Sequence, residues 1–205
     1  MEMEAPVYVV DDDRAMSEVI ARVVSEMGYE VQTFPTGRAF LERFVPDRPG
    51  CLVLDVRLPG EDGLEMYKDL ARRGAAPPTV VITGHGDIRM AVEAMKAGAI
   101  EFLEKPFRML DLCESIQRGL EHSRKLAQRR RRREEARQRL ARLTPAEHEV
   151  LVLVAEGKTN RQIAQELGLS VRAVEDRRAR MLRRIGVASR PELIALVRAA
   201  EDPCT

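Results

Sequence analysis

The sequence predicts an α/β chain, a doubly wound five-stranded parallel sheet followed by a small all-α domain. Over the first 120 residues short β-branched runs alternate with longer amphipathic stretches. From Thr144 onward only short helices separated by tight turns are legible. Charge divides the chain in the same way. Residues 1–120 hold 14 Lys+Arg and 21 Asp+Glu, a balance of −7, while the remainder hold 20 and 12, a balance of +8. An acidic half ahead of a basic half indicates a regulatory module beside one that binds a polyanion.

The strand-like runs are Val7–Val10, Val31–Phe34, Cys51–Leu54, Thr79–Ile82 and Glu101–Leu103, with helical segments near 14–27, 36–44, 63–73, 87–97 and from 110 onward. Three runs are nearly all apolar, as strands buried on both faces must be. Right-handed crossovers then leave few topologies. Residues 121–143 change to Arg, Glu, Gln and Ala without Gly or Pro. Five consecutive arginines, Arg129 to Arg133, cannot face a core, so this segment is expected to extend the fifth helix as a solvated linker. Leu126, Leu140 and Leu143 give it only a thin apolar seam. The predicted organisation is therefore residues 1–120, a linker over 121–143, and 144–205.

In the last segment Thr144-Pro145-Ala146-Glu147 reads as a capping box with proline at the first helical position. Gly157 closes that helix, Thr159 or Asn160 caps the next, Gly168 ends it, Ser170 caps a third and Pro191 begins a fourth.

Composition narrows the function. At 205 residues the chain can bury one ordinary core and one small one. No apolar run approaches the roughly 20 residues that cross a bilayer, so no membrane association is expected. The acidic N-terminus leads straight into a strand and shows no signal peptide. Cys51, Cys113 and Cys204 lack metal-ligand spacing and suit a reducing, cytoplasmic setting as small apolar fillers. Neither Cys51, Cys113 nor His85 is given a functional role. Absent tryptophan and few aromatics argue against stacking surfaces for single-stranded nucleic acid.

The strongest chemical signal lies at the strand ends. Asp11-Asp12-Asp13 follow the first strand, Asp55 ends the third, Thr83-Gly84 end the fourth and Lys105-Pro106 follow the fifth. In an open parallel sheet the carboxyl ends of the strands line one crevice, deepest where the strand order reverses. With the order 2-1-3-4-5, Asp11, Asp12 and Asp55 crowd into one pocket. Clustered carboxylates repel unless a cation joins them, and an oxygen-only set favours a hard ion such as Mg²⁺. A carboxylate oxygen left free there can accept a phosphoryl group as an acyl phosphate. Mg²⁺ and the Lys105 ammonium would then neutralise the phosphoryl oxygens, and the Thr83 hydroxyl would donate to one of them.

The ordered motifs VVDDD, LVLDVRLPGEDG, VVITGHGD and AMKAGAIEFLEKPF resemble the receiver domain of two-component response regulators over nearly all of residues 6–120. The resemblance implies Asp55 as phospho-acceptor, with Asp11 and Asp12 as the acidic pair holding Mg²⁺. It makes the backbone carbonyl of Arg57 a further metal contact, Thr83 the hydroxyl switch, Lys105 the phosphate-binding lysine and Phe102 the rotating aromatic. It also implies a bond before Pro106 that is often cis, and dimerisation through the face of the fourth helix. On that helix Ile88, Ala91 and Met95 have inward spacing, while Val92, Arg89, Glu93 and Lys96 face outward. Val92 and Lys96 are the expected dimer contacts.

In the basic half, Ile163, Ala164 and Leu167 give one apolar helix face and Gly168-Leu169-Ser170 a turn. Val171, Val174, Met181, Leu182 and Ile185 give a second face. Two short helices joined this way form a helix-turn-helix, whose second helix enters the major groove. The segment LTPAEHEVLVLVAEGKTNRQIAQELGLSVRAVEDRRARMLRRIGV resembles the LuxR-type DNA-binding domain, which places the whole chain with the NarL/FixJ subfamily. By position Glu175, Asp176 and Ala179 match base-facing sites, and Thr159, Asn160, Arg161, Arg172, Arg177 and Arg180 match phosphate contacts. Ala173, Asp176 and Arg177 depart from the residues usual in that family.

The expectation is a regulator phosphorylated on Asp55 by a sensor histidine kinase with Mg²⁺. It would then form a homodimer, bind double-stranded promoter DNA and act with RNA polymerase, as an activator by family habit. It is not expected to be an enzyme beyond its own phosphorylation and slow dephosphorylation. A constitutive DNA-binding regulator and an Asp-nucleophile phosphatase are the alternatives. The latter is disfavoured because Arg57 stands where such enzymes carry a second aspartate.

Overall fold

The computed structural model describes residues 5–46, 48–84 and 88–202. The chain divides into two compact units between Ala127 and Gln128.

The first unit is built on β1 (Val7–Val10), β2 (Val31–Phe34), β3 (Cys51–Asp55), β6 (Thr79–Thr83) and β7 (Glu101–Glu104), all paired in parallel in the order β2-β1-β3-β6-β7. This is the predicted order, since β4 (Arg57–Leu58) and β5 (Glu61–Asp62) pair only with each other, antiparallel, beside the sheet. Alternation along each strand sends side chains to two cores. Val7, Val9, Cys51, Val53, Val80 and Ile82 join Ile20 and Val24 of α1 (Arg14–Glu26). The same core takes Leu112, Ile116 and Leu120 of α5 (Met109–Leu140). Tyr8, Val10, Leu52, Leu54 and Val81 face Phe40 of α2 (Gly37–Arg43) and Leu64, Tyr67 and Leu70 of α3 (Gly63–Arg72). Two-faced burial explains why the central strands carry no polar alternation.

One expected face is rotated. On α4 (Ile88–Lys96) Ala94 is fully buried and Met90 packs beside it, whereas Ile88 and Met95 are exposed, Ile88 to 86%. Helical spacing gives a period without a phase. Small side chains won the sheet-facing position, where the Tyr67 hydroxyl also reaches the Ala97 carbonyl.

α3 starts against the end of β3, and Gly63 is what permits this. A Cβ there would lie 2.4 Å from the Asp55 carbonyl oxygen and 3.0 Å from Val56 Cα. Gly63→Ala should destabilise the first unit by about 1–3 kcal/mol through overpacking. Urea titration followed by circular dichroism will measure it, and an unchanged midpoint would refute the close approach.

The second unit packs α6 (Pro145–Ala155), α7 (Asn160–Leu167), α8 (Val171–Ile185) and α9 (Arg190–Glu201) around Val150, Val154, Ile163, Val174, Met181, Ile185 and Leu193. Its caps follow the predicted grammar. Thr144 and Thr159 form capping boxes, Ser170 and Ser189 cap α8 and α9, and Gly168 and Gly186 close α7 and α8 in the left-handed region. Two placements differ from expectation. Val171, in the first turn of α8, is exposed rather than on the buried face. Ala136, Leu140 and Leu143 join this core, so the last turns of α5 are more than a solvated spacer.

Candidate functional site

Three successive aspartates after β1 have three different fates. Asp13 caps α1, accepting from the backbone of Ala15 and Met16. Asp11 turns back into the sheet edge and is 2% exposed, while Asp12 stands exposed beside it. Asp55, at the end of the neighbouring strand β3, is 5% exposed. Ligand oxygens of Asp11, Asp12 and Asp55 all lie within 4.8 Å of one another.

Lys105 enters this cluster from the end of β7. Its Nζ donates to Asp11 Oδ2 at 2.8 Å and to Asp55 Oδ2 at 2.7 Å. The following peptide, Lys105–Pro106, is cis. Backbone amides complete the orientation: Asp13 N donates to Asp11 Oδ1 at 2.9 Å, and Arg57 N to Asp55 Oδ1 at 2.8 Å. Both oxygens of Asp55 therefore accept a hydrogen bond. Each keeps a further lone pair.

The electrostatics follow from one ammonium facing two buried carboxylates. Burial pushes the Asp11 carboxyl above its ordinary range, helped by the nearby Asp55 charge, and the bonds from Lys105 and Asp13 only partly offset this. Lys105 is pulled down by burial, but its bonds to Asp11 and Asp55 win and hold its ammonium above the ordinary lysine range. The pocket thus keeps an excess of negative charge that a small divalent cation would neutralise. Hard oxygen donors at this separation suit Mg²⁺, with Asp11, Asp12 and Asp55 as its holders.

Thr83 is fully buried at the end of β6, with its backbone carbonyl accepting from Lys105 N at 2.7 Å. Phe102 of β7 is half-buried and packs on the core that includes Val81 and Ala94. The structure thus brings Asp11, Asp12, Asp55 and Lys105 together, with Thr83 one strand away. Cys51 is fully buried and its thiol pushed up to about 12 by burial, so it is an inert filler. His85 lies outside the described residues.

In the second unit α7 and α8 pack as a helix-turn-helix. Arg172, Glu175, Asp176, Ala179, Arg180 and Arg183 form the exposed side of α8, opposite buried Val174, Met181 and Ile185. Arg177 is half-buried at the margin of that side. Arg161 is exposed in the first turn of α7, and the Thr159 hydroxyl is committed to its cap. Asn160 Oδ1 accepts from Arg178 Nη1 at 3.1 Å, a tie between the two helices that sequence spacing did not suggest.

Residues 7–117 match the family model described as the response regulator receiver domain, and residues 141–197 match that of bacterial regulatory proteins of the luxR family. The chain is a response regulator. It belongs to the NarL/FixJ type, with a LuxR-type DNA-binding domain. The regulator is 41% identical to the transcriptional regulatory protein FixJ of Azorhizobium caulinodans over 93% of this chain and 90% of that one. It is 39% identical to nodulation protein W of Bradyrhizobium diazoefficiens over 94% and 85% of the two chains. Among solved structures, response regulator StyR superposes with a TM-score of 0.85 at 41% identity, covering 95% of this regulator and 98% of StyR. The receiver implies a histidine kinase partner, and the luxR-family domain implies DNA binding and transcription regulation. Among the described residues no helix is long and apolar enough to cross a membrane.

Sequence reasoning did not single out Gly63, which lets α3 approach Asp55. It also passed over Ser123, whose buried hydroxyl accepts from Gly50 N at 2.8 Å just before β3. The Gly63 signal was present as the last residue of LPGEDG. Ser123 had none, because its partner lies 73 positions away.

Proposed function

We propose that the regulator is phosphorylated on Asp55 by a sensor histidine kinase, dimerises, and then binds promoter DNA to activate transcription in the cytoplasm with RNA polymerase. The observation that carries this reading is the approach of Asp11, Asp12 and Asp55 within 4.8 Å around Lys105. An Asp55 carboxylate oxygen attacks phosphorus on the donor imidazole, the P–N bond breaks, and the imidazole leaves with its electron pair and takes up a proton. When bound by Asp11, Asp12, Asp55 and the Arg57 carbonyl, Mg²⁺ supplies charge neutralisation at the phosphoryl oxygens. Lys105 is already within reach of Asp55 and follows the phosphoryl group, leaving its bond to the carboxylate.

Thr83 donating its hydroxyl to the new phosphoryl group draws it toward Asp55. Phe102 then turns into the vacated space and repacks the face of α4. Ile88, Val92 and Met95 are exposed at i, i+4, i+7 spacing, and this apolar stripe supports α4 as the dimer face, with Val92 and Lys96 among its contacts. On the DNA side, Glu175, Asp176 and Ala179 read base edges. Asn160, Arg161, Arg172, Arg177 and Arg180 hold phosphates, and Thr159 supports them by capping α7. Turnover of a diffusible ester is not part of this function, because Arg57 occupies the place of a second acid/base carboxylate.

The test is acetyl phosphate with Mg²⁺, read by intact mass and by light scattering. One added phosphoryl group and a doubled solution mass are expected. A chain that takes up no phosphoryl group would overturn the reading.

A further inference from the structure

The C-terminal end of α8 is held by a side chain from outside the four predicted helices of the DNA-binding domain. A helix ends with carbonyls that lack intrahelical partners and with a concentration of negative partial charge. In α8 the backbone covers part of this need. Gly186, in the left-handed region at φ 64°, donates to the Arg183 and Leu182 carbonyls, and Val187 N also reaches Leu182 O. Two further carbonyls, that of the last helical residue Ile185 and that of Gly186 just past the helix, are met by Arg139 of α5. Its Nε donates to Ile185 O at 2.8 Å and its Nη2 to Gly186 O at 2.7 Å. The planar guanidinium spans both acceptors in a pre-organised fork and places its charge on the negative helix end, a geometry that a compact lysine ammonium does not reproduce.

Arg139 does not act from a loose spacer. Ala136 and Leu140, one turn apart, point into the second core. At about 100° per residue, Arg137 and Arg139 leave α5 roughly 80° to either side of that buried line. Arg137 Nε takes the Ala200 carbonyl near the end of α9 at 3.2 Å. The two arginines thus grip the ends of two different helices from one buried ridge. A second tie fixes the same end of α8, from Arg184 Nε to buried Glu147 Oε2 of α6 at 3.3 Å.

We propose that Arg139 is a positioning residue for DNA recognition, setting where the C-terminal end of α8 lies and hence how Glu175, Asp176 and Ala179 meet base edges. Phosphate contacts tolerate small displacements of a helix, whereas hydrogen bonds to base edges do not. Losing Arg139 therefore reduces selectivity more than it reduces adhesion to DNA. This inference rests on the reading of α8 as the recognition helix.

The experiment uses the full chain in four forms: parent, Arg139→Ala, Arg139→Lys and Arg137→Ala. The first readout is amide hydrogen exchange at Gly186 and Val187, with the amides of α7 as reference. The second is the ratio of affinities for a duplex selected by the parent from a random pool and a shuffled duplex of equal length. In Arg139→Ala the two amides should exchange about tenfold faster and the affinity ratio should fall about tenfold, the factor one charge-assisted hydrogen bond commands. Arg139→Lys should recover part of both, and Arg137→Ala should leave the ratio at the parent value. Unchanged exchange at Gly186 and Val187 overturns the clamp. Faster exchange with an unchanged ratio, or an equal fall in Arg137→Ala, reduces Arg139 to a structural contact and overturns its positioning role. A parent that selects no duplex overturns the recognition-helix reading itself, and the positioning role with it.

Discussion

Asp55→Asn should abolish phosphoryl uptake from acetyl phosphate and, with it, the response of DNA binding to the donor. Asparagine keeps the size of the side chain and an oxygen for Arg57 N, so the fold has no reason to fail. It lacks the anionic oxygen that attacks phosphorus. On the proposed function, phosphorylation of the parent would couple two sites, and such couplings are worth roughly 1–3 kcal/mol, or about 5- to 150-fold in affinity. The parent should therefore bind a selected duplex at least about fivefold tighter after treatment with the donor. Asp55→Asn should bind with one affinity throughout, measured by fluorescence anisotropy at fixed salt. Equal affinities for parent and variant, with and without donor, would establish the constitutive regulator instead.

Lys105→Ala should have the largest effect on stability, because it strips two buried carboxylates of their shared ammonium. The side chains of Asp11 and Asp55 are 0% and 7% exposed. Removing one partner of a buried ion pair typically costs about 3–5 kcal/mol. The pH dependence has a defined sign. Asp11 has a raised carboxyl in the folded state, so folding favours its proton. The stability it confers is present in acid and is lost as pH rises from the ordinary carboxylate range through the raised value. Lys105, also raised, contributes stability below the ordinary lysine range that is lost only in strong alkali. The Lys105→Ala defect should thus be greatest near neutrality and shrink as Asp11 becomes protonated. Millimolar Mg²⁺ should restore part of the thermal midpoint in the variant and raise it in the parent. A variant that melts like the parent at neutral pH, or is indifferent to Mg²⁺, would contradict the shared pocket.

The exposed stripe on α4 shows where reading a sequence stops. Ile88, Ala91 and Met95 share a helical period with Met90, Ala94 and Ala97, and either set satisfies an amphipathic pattern. Packing chose the set with small side chains at the sheet, leaving Ile88 and Met95 outside. The same limit applies to Val171, which has the right period for the α8 core yet lies in the exposed first turn.

Residues whose roles depend on local chain order were legible. The strand runs, the helix caps at Thr144, Ser170 and Gly168, and the aspartates at strand ends follow from rules that act over a few positions or from the fixed geometry of a parallel sheet. Contacts between distant segments were not. Arg139 reaches carbonyls 46 and 47 positions away, Ser123 serves a residue 73 positions back, and Lys105 bridges one oxygen of Asp11 and one of Asp55, 94 and 50 positions before it. A sequence by itself determined the sheet, its crevice and the acids that line it, because periodicity and strand order are local or topological. Only the tertiary structure decided which face of each helix is buried and which charges meet, because those depend on side-chain volume and on distances that no spacing along the chain encodes.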